Sequence, residues 1–178
     1  MNKPQGTTPP QRLGKGMIIA AWLLLLALLT WFFNAKIERQ HNPNQQIRSA
    51  ISADGLPAVQ LERNRFGHYV ASGHINNQPV TFMLDTGASD VSVPLSVADK
   101  LGLEKGQALL YQTANGTIKA WQTVIDEIRL GDLSVGPVRA SINPGAQGDA
   151  VLLGMSFLKQ LDFSQQGNTL TLEYPTGN

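Results

Sequence analysis

No cysteine occurs among the 178 residues. That excludes a disulfide framework, a cysteine nucleophile and thiolate-held metals, and leaves the redox compartment open. Histidine is scarce as well. His41, His68 and His74 offer no His-x-x-x-His spacing, so no metal site is expected. An excess of charge is also missing: 14 basic residues face 13 acidic ones, so nothing argues for a nucleic-acid partner. Neither a Gly-x-Ser-x-Gly elbow nor a phosphate-binding Gly-x-x-x-x-Gly-Lys loop is present. No cofactor is expected. Seventeen glycines and ten prolines, spread along the chain, favour short strands and turns over a helical bundle.

What is present begins with one long apolar run. Met17 to Phe33 carries no charge, and Thr30 is its one polar side chain. Seventeen helical residues rise roughly 25 Å, near the lower limit for crossing a bilayer. A cleaved signal peptide is the competing reading, but the bulky Phe32-Phe33 fits a small-x-small cleavage site poorly. Residues 1–16 are therefore expected as a cytoplasmic tail and 17–35 as a single transmembrane anchor. Lys3, Arg12 and Lys15 precede the run, and Lys36, Arg39 and Arg48 follow it, a nearly even tally. A short basic tail leading into an apolar core favours the N-terminus inside and the body outside. In a Gram-negative cell that places the body in the periplasm, on the inner membrane. Residues 36–60 are polar and weakly patterned, with Pro43, Gly55 and Pro57 against a helix, and are expected as a flexible tether.

The folded domain is expected over 61–178. His68 to Ile75 and Pro79 to Leu84 read as strands joined by Asn76-Asn77, both tolerant of positive φ. Asp90 to Val93 reads as a short strand, and Ser96 to Leu101 as a helix capped by Ser96 and stopped by Gly102. Leu109 to Thr113 and Thr117 to Val124 flank Asn115-Gly116, a strong hairpin signal with a small, polar tip. A third hairpin is expected from Ile125–Leu130 against Leu133–Ile142. Val151 to Gly154 reads as a buried strand, Met155 to Leu161 as a helix, and a last hairpin turns at Gln166-Gly167-Asn168. Eight or nine short strands in one domain suggest a mainly β, closed antiparallel barrel.

One stretch carries chemistry. Phe82-Met83-Leu84 delivers Asp85, Thr86, Gly87, Ala88 and Ser89 in succession. Alone, Asp-Thr-Gly reads as a turn. A buried strand ending in an acid, however, is costly unless the acid has partners or a task.

Three elements in order give a resemblance. The Asp85-Thr86-Gly87-Ala88-Ser89 run, the Thr113-Ala114-Asn115-Gly116 hairpin tip, and Leu152-Leu153-Gly154 before a short helix resemble retropepsin-type aspartic proteases. More narrowly, the chain is similar to their single-domain, membrane-anchored bacterial branch. The resemblance implies the retropepsin barrel and an endopeptidase in which two carboxylates activate a water without a covalent intermediate. It implies Asp85 as the catalytic residue. Thr86, Gly87, Ala88 and Ser89 would support its loop. Thr113, Ala114, Asn115 and Gly116 would form a flap over an extended peptide substrate, and Leu152, Leu153 and Gly154 would line side-chain pockets. Core packing is an equal alternative for the leucines. No second Asp-Thr/Ser-Gly exists, so the resemblance implies a homodimer contributing two Asp85 carboxylates. Ala88 lacks the hydroxyl that would steady the carboxylate, which points to a mildly acidic rather than a strongly acidic rate maximum. The alternative is a membrane-tethered peptide-binding or assembly module without catalysis.

Overall fold

The structure, a computed structural model, describes residues 11–52, 55–113 and 116–175. The chain divides into two units, Met1–Glu38 and Arg39–Asn178. The first is helical from residue 11 onward. Its helix α1, Gln11–His41, continues a few residues into the second unit. Large apolar side chains from Met17 to Phe33 lie exposed along it, with Trp31 at 73 %. The stretch Gly16–His41 is long and apolar enough to cross a membrane by length and composition, a test that a signal sequence passes too.

In the second unit the segment expected as a tether is largely folded. Strands β1, Arg48–Ile51, and β2, Pro57–Glu62, pair antiparallel from Arg48↔Gln60 to Ile51↔Pro57. Between α1 and β1 the side chain of Asn44 is buried. Its Nδ2 donates to the carbonyls of Glu62 and Val70, and its Oδ1 accepts from the Glu62 N–H at 2.7 Å. Such a fully bonded amide offsets the cost of its burial and fixes the chain on both strands.

The first expected hairpin forms β3, Val70–Ile75, and β4, Gln78–Leu84, in register Val70↔Met83 to Ile75↔Gln78. Asn76 and Asn77 stand at φ 47° and 65°, the conformation a two-residue hairpin of the right twist requires. Strand β5, Val91–Pro94, runs straight into α2, Leu95–Leu101. The residue before α2 is Pro94 rather than Ser96, and no side chain caps this helix. Gly102 ends it at φ 68°, as expected from a C-terminal glycine.

Strands β6, Ala108–Thr113, and β7, Gly116–Ile125, build the second hairpin. The third is shorter than expected. Strands β8, Ile128–Leu130, and β9, Leu133–Val135, stop before Gly136-Pro137, and β10, Val138–Asn143, is a separate strand. Proline removes a ladder donor there. A Cβ on Gly136 would strike the Asp126 carbonyl, so only glycine permits that crossing. The remaining elements are β11, Ala150–Leu153; α3, Met155–Leu158; β12, Asp162–Gln166; and β13, Thr169–Glu173. Helix α3 is three residues shorter than the sequence pattern suggested.

The strands form two sheets, ordered β1-β2-β13-β12 and β6-β7-β10-β5-β11-β4-β3-β8-β9. Their end strands do not pair, so the expected closed barrel is not formed, while the strand pairing is mostly antiparallel, with two parallel exceptions. Strand β10 lies parallel to β5, and β11 parallel to β4. Strand β11 returns late in the chain and inserts between β4 and β5, which places Leu153 beside Leu84. Phe82, Ile125, Ile142, Leu153, Phe157 and Leu172 fill the core at or near zero exposure. Each such side chain contributes about 1.5–3 kcal/mol of hydrophobic stabilisation.

Candidate active site

Strand β4 ends at Leu84, and Asp85 is the first residue beyond it. The parallel neighbour β11 sets its backbone, for the Asp85 N–H donates to the Leu153 carbonyl at 3.1 Å. The loop then folds on itself. The Asp85 carboxylate Oδ1 accepts the Gly87 N–H at 2.9 Å, and its carbonyl accepts the Ala88 N–H at 3.2 Å. Asp85 is half-buried, whereas Thr86, Gly87 and Ser89 are exposed. Even a Cβ on Gly87 would come to 3.1 Å of the Asp85 Oδ1. A turn made only of main chain would leave that carboxylate pointing anywhere; here a glycine amide aims it.

The other side of the loop rests on α3. The N–H groups of Met155 and Ser156 donate to the carbonyls of Ala88 and Ser89 at 2.8 and 2.9 Å. These are amides of the helix's first turn, which have no partner within the helix. Gly154 permits the approach: a Cβ there would lie 2.6 Å from the Ala88 carbonyl oxygen and closer still to that of Asp90. The buried Ser156 hydroxyl accepts the Val91 N–H at 2.9 Å and donates to the Arg139 carbonyl at 2.8 Å, joining β5, β10 and α3.

The expected residues are thus partly gathered. Asp85 to Ser89 and Leu152 to Gly154 meet. Leu153 is fully buried in the core and Leu152 is half-buried. A cavity of about 180 Å³ beside the loop is lined by Thr86, Gly87, Ala88, Ser89, Met155, Ser156 and Lys159, and by none of the Leu152–Gly154 residues. Thr113 and Gly116 close the β6–β7 hairpin opposite each other, with Gly116 at φ 110°. Ala114 and Asn115 lie outside the described residues. Among the described residues no cluster of His, Cys, Asp or Glu could hold a metal ion.

Sequence reasoning missed an ionic cluster at the end of the loop. The Asp90 side chain is only 9 % exposed, and its Oδ1 accepts both Nε and Nη2 of Arg139 at 2.9 and 2.8 Å. Tyr111, on β6, reaches the same carboxylate. Burial raises the Tyr111 pKa above its ordinary 10.0. The Asp90 charge raises it further, as does the hydrogen bond donated there, while Arg139 opposes in part. Arg139 itself is held above its usual value, chiefly by its hydrogen bond to Asp90. The neutral phenol is therefore the form that the folded state favours. Its contribution to stability is complete below about pH 10 and is lost as pH rises through the raised folded value. Urea unfolding of the wild type and of Tyr111→Phe should differ by a constant below pH 10. Above it the wild type should lose stability relative to the variant; a difference independent of pH would count against the cluster. Nothing local in the sequence marks this group, since Asp90 and Arg139 are 49 residues apart.

Fold and loop define a class: a mainly β, retropepsin-like protein with one Asp-Thr-Gly turn at the end of a strand that pairs parallel with β11. A crystal structure of a retropepsin-like aspartic protease from Rickettsia conorii is similar at 29 % identity and a TM-score of 0.57, covering 72 % of this chain and 96 % of that one. The family model described as "gag-polyprotein putative aspartyl protease" matches residues 71–160, about half of the chain, and the chain belongs to that family of retropepsin-like aspartic proteases. Two further relatives are uncharacterized proteins. One, from the cobV 5' region of Sinorhizobium sp, is 26 % identical over 166 residues, covering 86 % of this chain and 71 % of that protein. The other, RP867 of Rickettsia prowazekii (strain Madrid E), is 26 % identical over 164 residues, covering 88 % and 70 %.

Proposed function

We propose that this chain is a membrane-anchored aspartic endopeptidase that works as a homodimer, each copy contributing Asp85 to one water-activating pair. The observation that carries the reading is the setting of Asp85. It stands half-exposed at the end of strand β4, just past Phe82 of the core, with its carboxylate aimed by the Gly87 amide and its loop clamped on α3. A carboxylate held in this way, and left accessible, is arranged for chemistry. The acid next along the chain, Asp90, is committed to Arg139, so the second carboxylate is supplied by another copy.

Two such groups in proximity share one proton. The ionised member takes a proton from water as that water attacks the peptide carbonyl, and the other donates to the carbonyl oxygen. Thr86, exposed on the loop, would meet its counterpart across the dimer axis. The β6–β7 hairpin would cover an extended peptide bound largely through main-chain hydrogen bonds. The apolar helix α1 would anchor the enzyme, with residues 1–16 cytoplasmic and the catalytic unit periplasmic. Confinement to a membrane plane raises the effective concentration of the two copies.

The test is cleavage of an unstructured protein by the purified full chain in detergent, with products mapped by mass spectrometry. We expect cleavage with a rate maximum in the mildly acidic range, above about pH 3, and its loss in Asp85→Asn. Binding of peptides without any cleavage, at concentrations where the chain is dimeric, would instead favour a non-catalytic module.

A further inference from the structure

The last turn of α1 runs directly into a short segment whose shape is fixed by asparagines. Asn42 and Asn44 are both buried. The Asn42 Oδ1 accepts the Asn44 N–H at 3.0 Å, and its Nδ2 donates to the Ser72 hydroxyl at 3.0 Å. With Asn44 already bonded to Glu62 and Val70, the segment is held on two strands. These two asparagines line a cavity of about 520 Å³, together with Arg39, Arg48, Gln60 and Glu62. Walls bonded in this way are pre-formed, so a ligand that enters has little ordering to cause.

The charges in this cavity do not balance. Glu62 is the only carboxylate that lines it, and Arg48 is ion-paired to Glu62 at 3.2 Å. Among the described residues Arg39 makes no ion pair, so one guanidinium is left uncompensated. A planar guanidinium with a fork of donors matches the oxygens of a phosphate.

The place of the cavity along the helix says where such an anion comes from. Arg39 stands six residues beyond Phe33, the end of the apolar run, or about 9 Å of helix rise. A headgroup layer is roughly 5–7 Å deep on each side of the hydrocarbon core, and a long arginine stem can reach back to it. The same helix end carries an aromatic ring with its own cation. Phe66 is 52 % exposed, the His41 ring lies 4.9 Å from it, and the Arg65 guanidinium stands 5.2 Å over it. The Arg65 Nη1 also donates to the Gln40 Oε1 at 2.8 Å. Aromatics and cations together are the side chains that settle at a bilayer surface.

We propose that this cavity binds the phosphate of an anionic phospholipid headgroup, with Arg39 as its principal ligand, and so ties residues 39–48 to the membrane surface. The inference rests on the reading of α1 as a membrane anchor. A zwitterionic headgroup fits less well, because its cationic end meets two arginines and a carboxylate that is already paired.

The test is a titration of the full chain, in neutral detergent, with short-chain phosphatidylglycerol, short-chain phosphatidylcholine and inorganic phosphate, bound species being counted by native mass spectrometry. We expect phosphatidylglycerol to bind at least about tenfold more tightly than either of the others. Arg39→Gln should weaken it about fivefold or more, whereas Lys36→Gln, outside the cavity, should leave it unchanged. Glu62→Gln should strengthen it by freeing Arg48, and the lost ion pair is an exposed one on which the fold depends little. Equal affinity for the two lipids, an equal loss in Lys36→Gln and Arg39→Gln, or inorganic phosphate binding as tightly as phosphatidylglycerol would each overturn the proposal. The intact mass in the same spectra answers the other question. A purified chain that has lost its apolar run removes the anchor reading, while the Arg39 and Glu62 variants still decide the cavity.

Discussion

Asp85→Asn should lower cleavage by at least about a thousandfold while leaving fold and dimer intact. General acid–base catalysis contributes roughly 10² to 10⁴ in rate, and in a symmetric dimer the substitution removes both carboxylates together. An amide can still accept the Gly87 N–H, so the loop has no reason to move. The affinity for a peptide substrate should therefore change little, and the loss should fall on kcat. Mixing gives a sharper form. If one Asp85 per dimer is insufficient, excess Asp85→Asn protein should titrate wild-type activity away as mixed dimers form. Activity proportional to the wild-type chain alone, at every ratio, would mean that each copy works by itself.

The second large effect is expected at a residue with no side chain. Gly154→Ala places a methyl group against two main-chain carbonyls, those of Ala88 and Asp90, rather than against a side chain that could turn aside. Relief requires the loop and α3 to separate, which breaks the bonds from Met155 and Ser156 to Ala88 and Ser89. Overpacking with backbone displacement costs about 1–3 kcal/mol, and each lost buried hydrogen bond adds about 1 kcal/mol. We expect a destabilisation of at least about 3 kcal/mol, together with near-complete loss of cleavage in whatever folds. A variant within about 0.5 kcal/mol of wild type would show that the loop is not wedged on α3. Gly87→Ala should be far milder in stability, because its Cβ would meet only a carboxylate oxygen at 3.1 Å.

These two positions mark what could be read from the sequence. Asp85 was legible because three separate elements agreed, and the Asn76-Asn77 and Gly167-Asn168 turns were legible because positive φ leaves few residue choices. The sheet order was not. Strand β11 pairs parallel with β4 from about 70 residues away, and a four-residue apolar run carries no label for its partners. The segment expected as a tether failed for a related reason. Strand β1 alternates weakly and is mostly exposed, and β2 is held by β13 from the far end of the chain. The Asp90–Arg139–Tyr111 group is likewise tertiary, an ion pair and a phenol drawn from the loop before β5 and from strands β10 and β6.

The bonds between the Asp85 loop and α3 run from amide to carbonyl, with side chains at 88, 89 and 155 playing no part in them. Such a joint places almost no demand on the genetic text at 88 and 89, asks at 155 for an N–H and an apolar side chain, and makes an absolute demand at 154. A lineage built on it can exchange most of its surface and keep the geometry of the acid. Saturation mutagenesis read by fold alone should then give a flat profile at 88 and 89. At 155 it should exclude proline and favour apolar residues, since the N–H is needed and the side chain packs on the core, and at 154 it should leave a single permitted letter.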